Sequence, residues 1–230
     1  MGRLGEVGGA GVRTGDGTVA ECPRLIERPF PIVISGASGT GKTSVVKKLL
    51  SIDGRLVRAV TATTRPPRPK EEDGIDYIFL DENEFQERKR RGYFLETARV
   101  HGFWYGTPKE NVEKALKAGK WAVLNVDVQG GLAIKEIYPD AVLIFMLPPS
   151  MEALEERLRK RGTEDEEEIQ RRLAEALQEM AAAPDYSYVV VNDDVKDCAN
   201  RILAIVRAET SRTRRGLQMP KKIGGKVEGA

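Results

Sequence analysis

The 230-residue chain has few of the residues that hold metals and disulfides. It carries two cysteines, Cys22 and Cys198, and one histidine, His101. Two thiols this far apart have no metal-ligand spacing, and one imidazole cannot complete a zinc cluster with them. The sequence therefore predicts no disulfide framework, no structural metal and a reducing compartment. Net charge is nearly absent as well. Lys+Arg number 37 against 35 Asp+Glu, a formal +2, which argues against a dedicated nucleic-acid binder with one strongly basic face. Long apolar runs are missing too: "AVLIFML" (141–147) is strand-sized, far below a membrane span. The N-terminal stretch has no apolar segment of the secretory type, so the expected location is cytoplasmic.

What is present is an alternation of short apolar runs and helical patterns. "PFPIVIS" (29–35), "WAVLNVDVQG" (121–130), "AVLIFML" and "YSYVVVND" (186–193) read as buried strands. Residues 57–63, "VRAVTAT", read as a further single strand, "DYIFL" (76–80) as another, and "YFLETARVHGFWYG" (93–106) as a hairpin that includes His101. Helical patterns fall between them. Asp81 is an N-cap candidate with Glu84 three residues on, and Gly92 is the stop. In "TPKENVEKALKAGK", Thr107 is the expected N-cap, Pro108 the first helical residue and Gly119 the stop. Apolar strands alternating with helices predict a parallel sheet covered on both faces. Trp104, Trp121 and Cys198 read as packing residues. The ends differ: seven glycines fall in the first twenty residues, and residues 210–230 are basic and aperiodic. Both read as flexible tails.

"GASGTGKT" (36–43) sits between such a strand and a helix and fits G-x-x-x-x-G-K-[ST]. Gly36, Gly39 and Gly41 let the backbone curl so that consecutive N–H groups, including those of Ala37, Ser38 and Thr40, face phosphate oxygens. The helix adds its positive N-terminus. Lys42 reaches the β/γ-phosphates and the Thr43 hydroxyl addresses Mg²⁺. The chain thus reads as a nucleoside triphosphate and magnesium binder. No guanine-specificity motif of the GTPase kind is present, and the chain is short for a motor. "TATTRPPRPKEEDGIDYIF" (61–79) carries a second anion signal. Its prolines bar helix and stiffen Arg65 and Arg68, whose forks suit a phosphate.

Six stretches in order carry a resemblance: "SGASGTGKT", "TTRPPRPKEEDGIDYIF", "FLETARVHGFWYGT", "VLNVDVQG", "RLRKRGTEDEEEIQRRL" and "VVVND". Over residues 29–208 the chain resembles the guanylate kinases, P-loop enzymes that make GDP and ADP from GMP and ATP in purine nucleotide metabolism. The resemblance implies an α/β P-loop nucleoside-monophosphate-kinase fold: a parallel sheet core flanked by helices, a small mixed α/β GMP-binding subdomain and a helical lid. It divides the chain into a tail (1–28), a kinase domain (29–209) and a basic tail (210–230). Within the kinase domain the core is 29–60, 109–150 and 181–209, the GMP-binding subdomain 61–108 and the lid 151–180.

The resemblance also assigns roles. Arg65, Arg68, Tyr77 and Tyr105 would hold the acceptor phosphate. Glu96 would accept the paired N–H donors of guanine, with Thr61 and Thr107 as small hydroxyls near the base. Asp127 would touch magnesium or substrate. Asn125 stands where some members carry Asp or Glu, so it adds no charge there. Arg157, Arg161 and Arg172 would be catalytic lid arginines alongside Lys42, while Arg159, Lys160 and Arg171 read as partners of neighbouring glutamates. Asn192 would lie near the adenine. ATP and GMP are the implied substrates and Mg²⁺ the cofactor, with no membrane or dedicated nucleic-acid partner; homo-oligomerisation is left open. Two other readings stand beside this one: a guanylate-kinase-like protein-binding module and a kinase for another monophosphate. Intact Lys42 and Thr43 weigh against the first. Glu96, Thr61 and Thr107 weigh against the second.

Overall fold

A computed structural model describes residues 22–69, 71–100, 102–160 and 165–219, and the backbone of 12–13 and 19–20. The chain divides into two compact units, Pro29–Val206 and one drawn from both chain ends, Met1–Arg28 with Arg207–Ala230.

The larger unit is built on five parallel strands. In chain order its elements are β1 (Ile32–Gly36), α1 (Lys42–Ile52), β2 (Leu56–Arg58), β3 (Ala62–Thr63), β4 (Ile78–Phe79), α2 (Glu82–Arg90), β5 (Phe94–Val100) and β6 (Phe103–Pro108). There follow α3 (Lys109–Lys117), β7 (Trp121–Asn125), α4 (Val128–Ile137), β8 (Val142–Leu147), α5 (Met151–Arg159), α6 (Glu166–Met180), β9 (Tyr188–Val191) and α7 (Val195–Thr210). The central sheet runs β9-β8-β1-β7-β2, every pair parallel. Alternate residues explain its two covers. Ile32 and Ile34 of β1 join Val45, Val46 and Leu49 of α1 and Ile202 of α7. Val33, between them, joins Val112 of α3 and Ile134 of α4 on the other face. Both faces are buried, so the strands read as unbroken apolar runs. Strands leave β1 in both directions, and the crevice at its carboxyl end is where such sheets bind ligands.

A second sheet runs β4-β3-β6-β5, with β3–β4 parallel and the other pairs antiparallel. Phe85 of α2 stacks on Phe94 under it, ring centroids 4.6 Å apart. Asp81 caps α2 by accepting from the Glu84 N–H at 2.8 Å.

Three local expectations are corrected. The strand expected over 121–130 ends at Asn125; Asp127 caps α4, and residues 128–130 form its first turn. Residues 57–63 are not one strand. Leu56–Arg58 pairs with β7, and Ala62–Thr63 pairs with β4 and β6 of the other sheet. A continuous apolar pattern does not record a change of partner. Thr107 does not cap α3. Pro108 holds that position without a side-chain bond, and Thr107 is buried with its hydroxyl committed to Glu96. In the smaller unit, Arg24–Leu25 pairs with Leu217–Gln218 and Val12–Arg13 with Val19–Ala20, where composition suggested featureless tails. The rest of 1–21, together with 220–230, His101 and Arg161, lies outside the described residues.

Candidate active site

At the end of β1 the chain passes so close to β8 that a Cβ on Gly36 would stand 2.3 Å from the Met146 carbonyl oxygen. Only glycine lets the loop begin there. Gly36, Gly39 and Gly41 hold positive φ, and α1 starts at Lys42 with no acidic residue in its first turn, which leaves its N-terminus fit for an anion. The loop is gripped from behind. Asn192 Nδ2 donates to the Thr40 carbonyl at 2.6 Å. Arg157 donates to that carbonyl at 3.3 Å and to the Asn192 carbonyl at 2.9 Å. Asn192 Oδ1 is buried with no hydrogen-bond partner among the described residues. Lys42 Nζ folds back on the carbonyls of Gly36 and Ala37.

The loop forms one wall of a cleft of about 480 Å³. Opposite it stand Thr61, Arg65, Arg68, Tyr77, Glu96 and Tyr105, which the sequence named from widely spaced motifs. Arg171, Arg172 and Glu179 of α6, Asn125 at the end of β7 and Asp127 just after it also line the cleft. Ala37, Thr40, Thr107, Arg157 and Asn192 are not part of that lining. They stand behind it.

In the arginine loop, Arg65 Nη2 reaches both Glu71 oxygens at 2.9 and 2.8 Å. Burial opposes its charge, but Glu71 and Tyr105 outweigh burial and its pKa is raised. Glu71 also accepts the Arg68 N–H at 2.8 Å. The fork suited to a phosphate is closed here on a carboxylate, which an incoming anion must displace. Tyr77 lies edge-on to Tyr105 at 6.1 Å.

On the same wall Glu96 is only 8 % exposed. Burial pushes its carboxyl up to about 7; the Thr107 hydrogen bond works the other way, and nearby Asp127 adds to the rise. Thr107 Oγ1 donates to Glu96 Oε1 at 2.7 Å, fixing the carboxyl plane. Asp127 caps α4, accepting the Gly130 N–H at 2.7 Å, and burial raises its pKa as well.

Among the described residues no group of three or more His, Cys, Asp or Glu could hold a metal. Thr43 and Asp127 line the same cleft, and Asn125 Nδ2 stands 3.4 Å from Thr43 Oγ1. One hydroxyl and one carboxylate are too few for a protein cage. They suit magnesium, which keeps its waters and is carried by substrate phosphates.

Sequence reasoning missed Glu71 and Glu179. Glu179 accepts the Ser38 N–H at 3.2 Å, 141 residues away, and burial raises its pKa although Lys42 opposes the rise. Nothing local marks it among the glutamates of α6. Glu71 had a signal, since it lies three residues from Arg68 in a rigid loop. Arg171 was read as a partner of glutamates; it pairs with Glu168 and Glu175 and still lines the cleft.

The family model described as guanylate kinase matches residues 28–209. A guanylate kinase of Caldanaerobacter subterraneus subsp. tengcongensis is 47 % identical over 192 residues, 84 % of this chain and 93 % of its own. One of Thermotoga maritima is 44 % identical over 197 residues, 86 % and 95 % of the two chains. The crystal structure of guanylate kinase from Anaplasma phagocytophilum superposes with a TM-score of 0.70 at 35 % identity, over 84 % of this chain and 92 % of that one. The chain belongs to the guanylate kinase family, the nucleoside monophosphate kinases that phosphorylate GMP.

Proposed function

We propose that the cleft carries out in-line transfer of the ATP γ-phosphoryl group to GMP, and to dGMP, with the following division of labour. The 36–43 loop and the start of α1 hold the triphosphate, and Lys42 leaves its backbone carbonyls to meet it. Arg65, Arg68, Tyr77 and Tyr105 take the acceptor phosphate. Glu96 accepts the N1–H and exocyclic amine of guanine, with Thr107 fixing its plane and Thr61 beside it. Arg172, with Arg161, supplies charge from the helical lid. Arg157 and Asn192 act on the donor through the loop backbone they grip. Thr43 and Asp127 would hold Mg²⁺, which offsets phosphate charge when bound. Such transfer needs alignment, charge and exclusion of water, and no general base. No helix among the described residues is long and apolar enough to cross a membrane; a cytoplasmic location belongs to the same reading.

The observation that carries this is Glu96: a buried carboxylate, oriented by a threonine, across one cleft from a P-loop. Guanine offers it two donors; adenine offers a lone pair at N1, so AMP leaves a buried group unpaired and is rejected by orders of magnitude. ADP formation with Mg·ATP and GMP, dGMP, AMP, UMP or CMP tests it. Turnover of GMP and dGMP alone is expected. Comparable turnover of AMP or UMP would show that Glu96 does not read the base.

A further inference from the structure

One ion cluster at the edge of the acceptor site has no part in the roles above. Asp76 is 5 % exposed and lies next to Tyr77. Its Oδ2 accepts the Glu72 N–H at 3.2 Å, inside the turn that delivers Tyr77. That turn closes on itself, with the Gly74 N–H donating to the Tyr77 carbonyl at 2.7 Å. The Asp76 Oδ1 faces the other way, toward one exposed and one partly buried cation. Lys47 of α1 stands at 2.7 Å and Arg58 at the end of β2 at 3.7 Å. The Arg58 guanidinium lies over the Tyr77 ring, 5.4 Å from its centroid. Arg65 lies over the same ring at 5.4 Å. The lysine hydrogen bond holds the Asp76 carboxyl below its usual range.

Lys47 sits on the helix that begins with Lys42. The carboxylate therefore joins the donor-side helix to the residue beside an acceptor-side tyrosine. An in-line reaction depends on that separation. We infer that Asp76, clasped by Lys47 and Arg58, is a positioning residue that sets Tyr77 and the stacked Arg65 for the acceptor phosphate. The inference rests on the placement of that phosphate at Arg65 and Tyr77.

Steady-state kinetics of full-length Asp76→Asn, Lys47→Met and Lys47→Arg test it, with Tyr77→Phe as the check on the site reading. Asp76→Asn preserves shape and the Oδ2 acceptor but loses the charge pairing. Lys47→Met removes an exposed cation and keeps the fold even where the aspartate variant does not. Each is expected to raise KM for GMP about tenfold, with KM for ATP within twofold of the parent, because the displaced groups address only the acceptor. Lys47→Arg restores the pair and the parent KM. The double variant Lys47→Met/Asp76→Asn is no worse than either single one, as for groups acting as a unit. Equal shifts in both KM values, a lowered Tm with unchanged KM for GMP, or additive losses would overturn the inference. If Tyr77→Phe alone leaves KM for GMP unchanged, the placement of the phosphate is what fails. If Tyr77→Phe raises it and Asp76→Asn and Lys47→Met do not, the placement stands and the positioning role fails.

Discussion

In the proposed role, Glu96 sits in conflict between folding and recognition. A carboxylate must be ionised to accept two N–H groups from guanine, yet burial pushes this one up to about 7. Two pH effects follow with opposite senses. Below pH 7 the neutral form predominates, so kcat/KM for GMP is expected to fall about tenfold per pH unit. Glu96→Gln should lose that limb and about a hundredfold or more of kcat/KM for GMP at pH 8, since one guanine donor then faces an amide N–H₂. Stability moves the other way. Between the ordinary carboxylate value and about 7, the folded protein keeps a proton that the unfolded chain has released, so stability falls as pH rises through that window. At pH 8 the charged, buried Glu96 costs about 3 kcal/mol by its shift alone. Glu96→Gln keeps an acceptor for Thr107 and carries no charge. Its Tm is expected to exceed the parent's at pH 8 and to match it near pH 4.5. A variant that is less stable at both pH values would show that the carboxylate is held by contacts other than Thr107.

At the scale of elements, the pocket depends on a helix being bare where a strand crosses it. Gly130 lies in the first turn of α4, and a Cβ there would stand 2.8 Å from Glu96 Oε2 on β5 and 3.1 Å from Asp127 Oδ1. Alanine is the better helix former by about 1 kcal/mol, and the obstructing atom is the end of a side chain rather than backbone. Gly130→Ala should therefore fold normally and keep KM for ATP. KM for GMP is expected to rise about tenfold as Glu96 is pushed off its plane. Unchanged KM for GMP would mean that the carboxylate has room to rearrange. Which elements form was largely legible: apolar β-branched runs marked most strands of the parallel sheet, and Asp81, the expected cap, caps α2 through its side chain. What each element touches was less so. "VRAVTAT" satisfies strand chemistry throughout while its two halves pair in different sheets. Thr107 has the chemistry of a cap, but a buried carboxylate across the hairpin is the stronger partner. The 36–43 loop and the Arg65/Arg68 pair were legible because they carry phosphate chemistry, whereas Thr61, Tyr77, Glu96, Tyr105 and Asp127 came only from the family resemblance. Those that grip the loop from behind, Arg157 and Asn192, were assigned to the ligands because sequence records a side chain's type and not the direction it faces. Glu179 left no local trace, its partner being set by tertiary packing alone.

Across the whole molecule, the residues that line the cleft all fall between Gly36 and Glu179, within the unit Pro29–Val206. The chain ends add two-residue ladders. Leu25 and Leu217, partners in one of them, are 50 % and 45 % exposed, so the pairing buries little apolar surface, and isolated two-stranded pairs are marginal in water. Removing residues 1–21 leaves the Arg24–Leu25 strand in place and is expected to change neither Tm nor kinetics. Removing residues 1–25 takes the strand away. That should lower stability by about 1 kcal/mol at most, the scale of a pair of exposed ladder hydrogen bonds, and leave kcat and both KM values within twofold. Thermal unfolding and steady-state kinetics of the two truncations read the outcome directly. A large kinetic loss in the longer truncation alone would make the Arg24–Leu25 ladder a support of the catalytic unit. A loss in both would place a contribution to the reaction within the first 21 residues, in a stretch whose composition offers glycine in quantity and little chemistry.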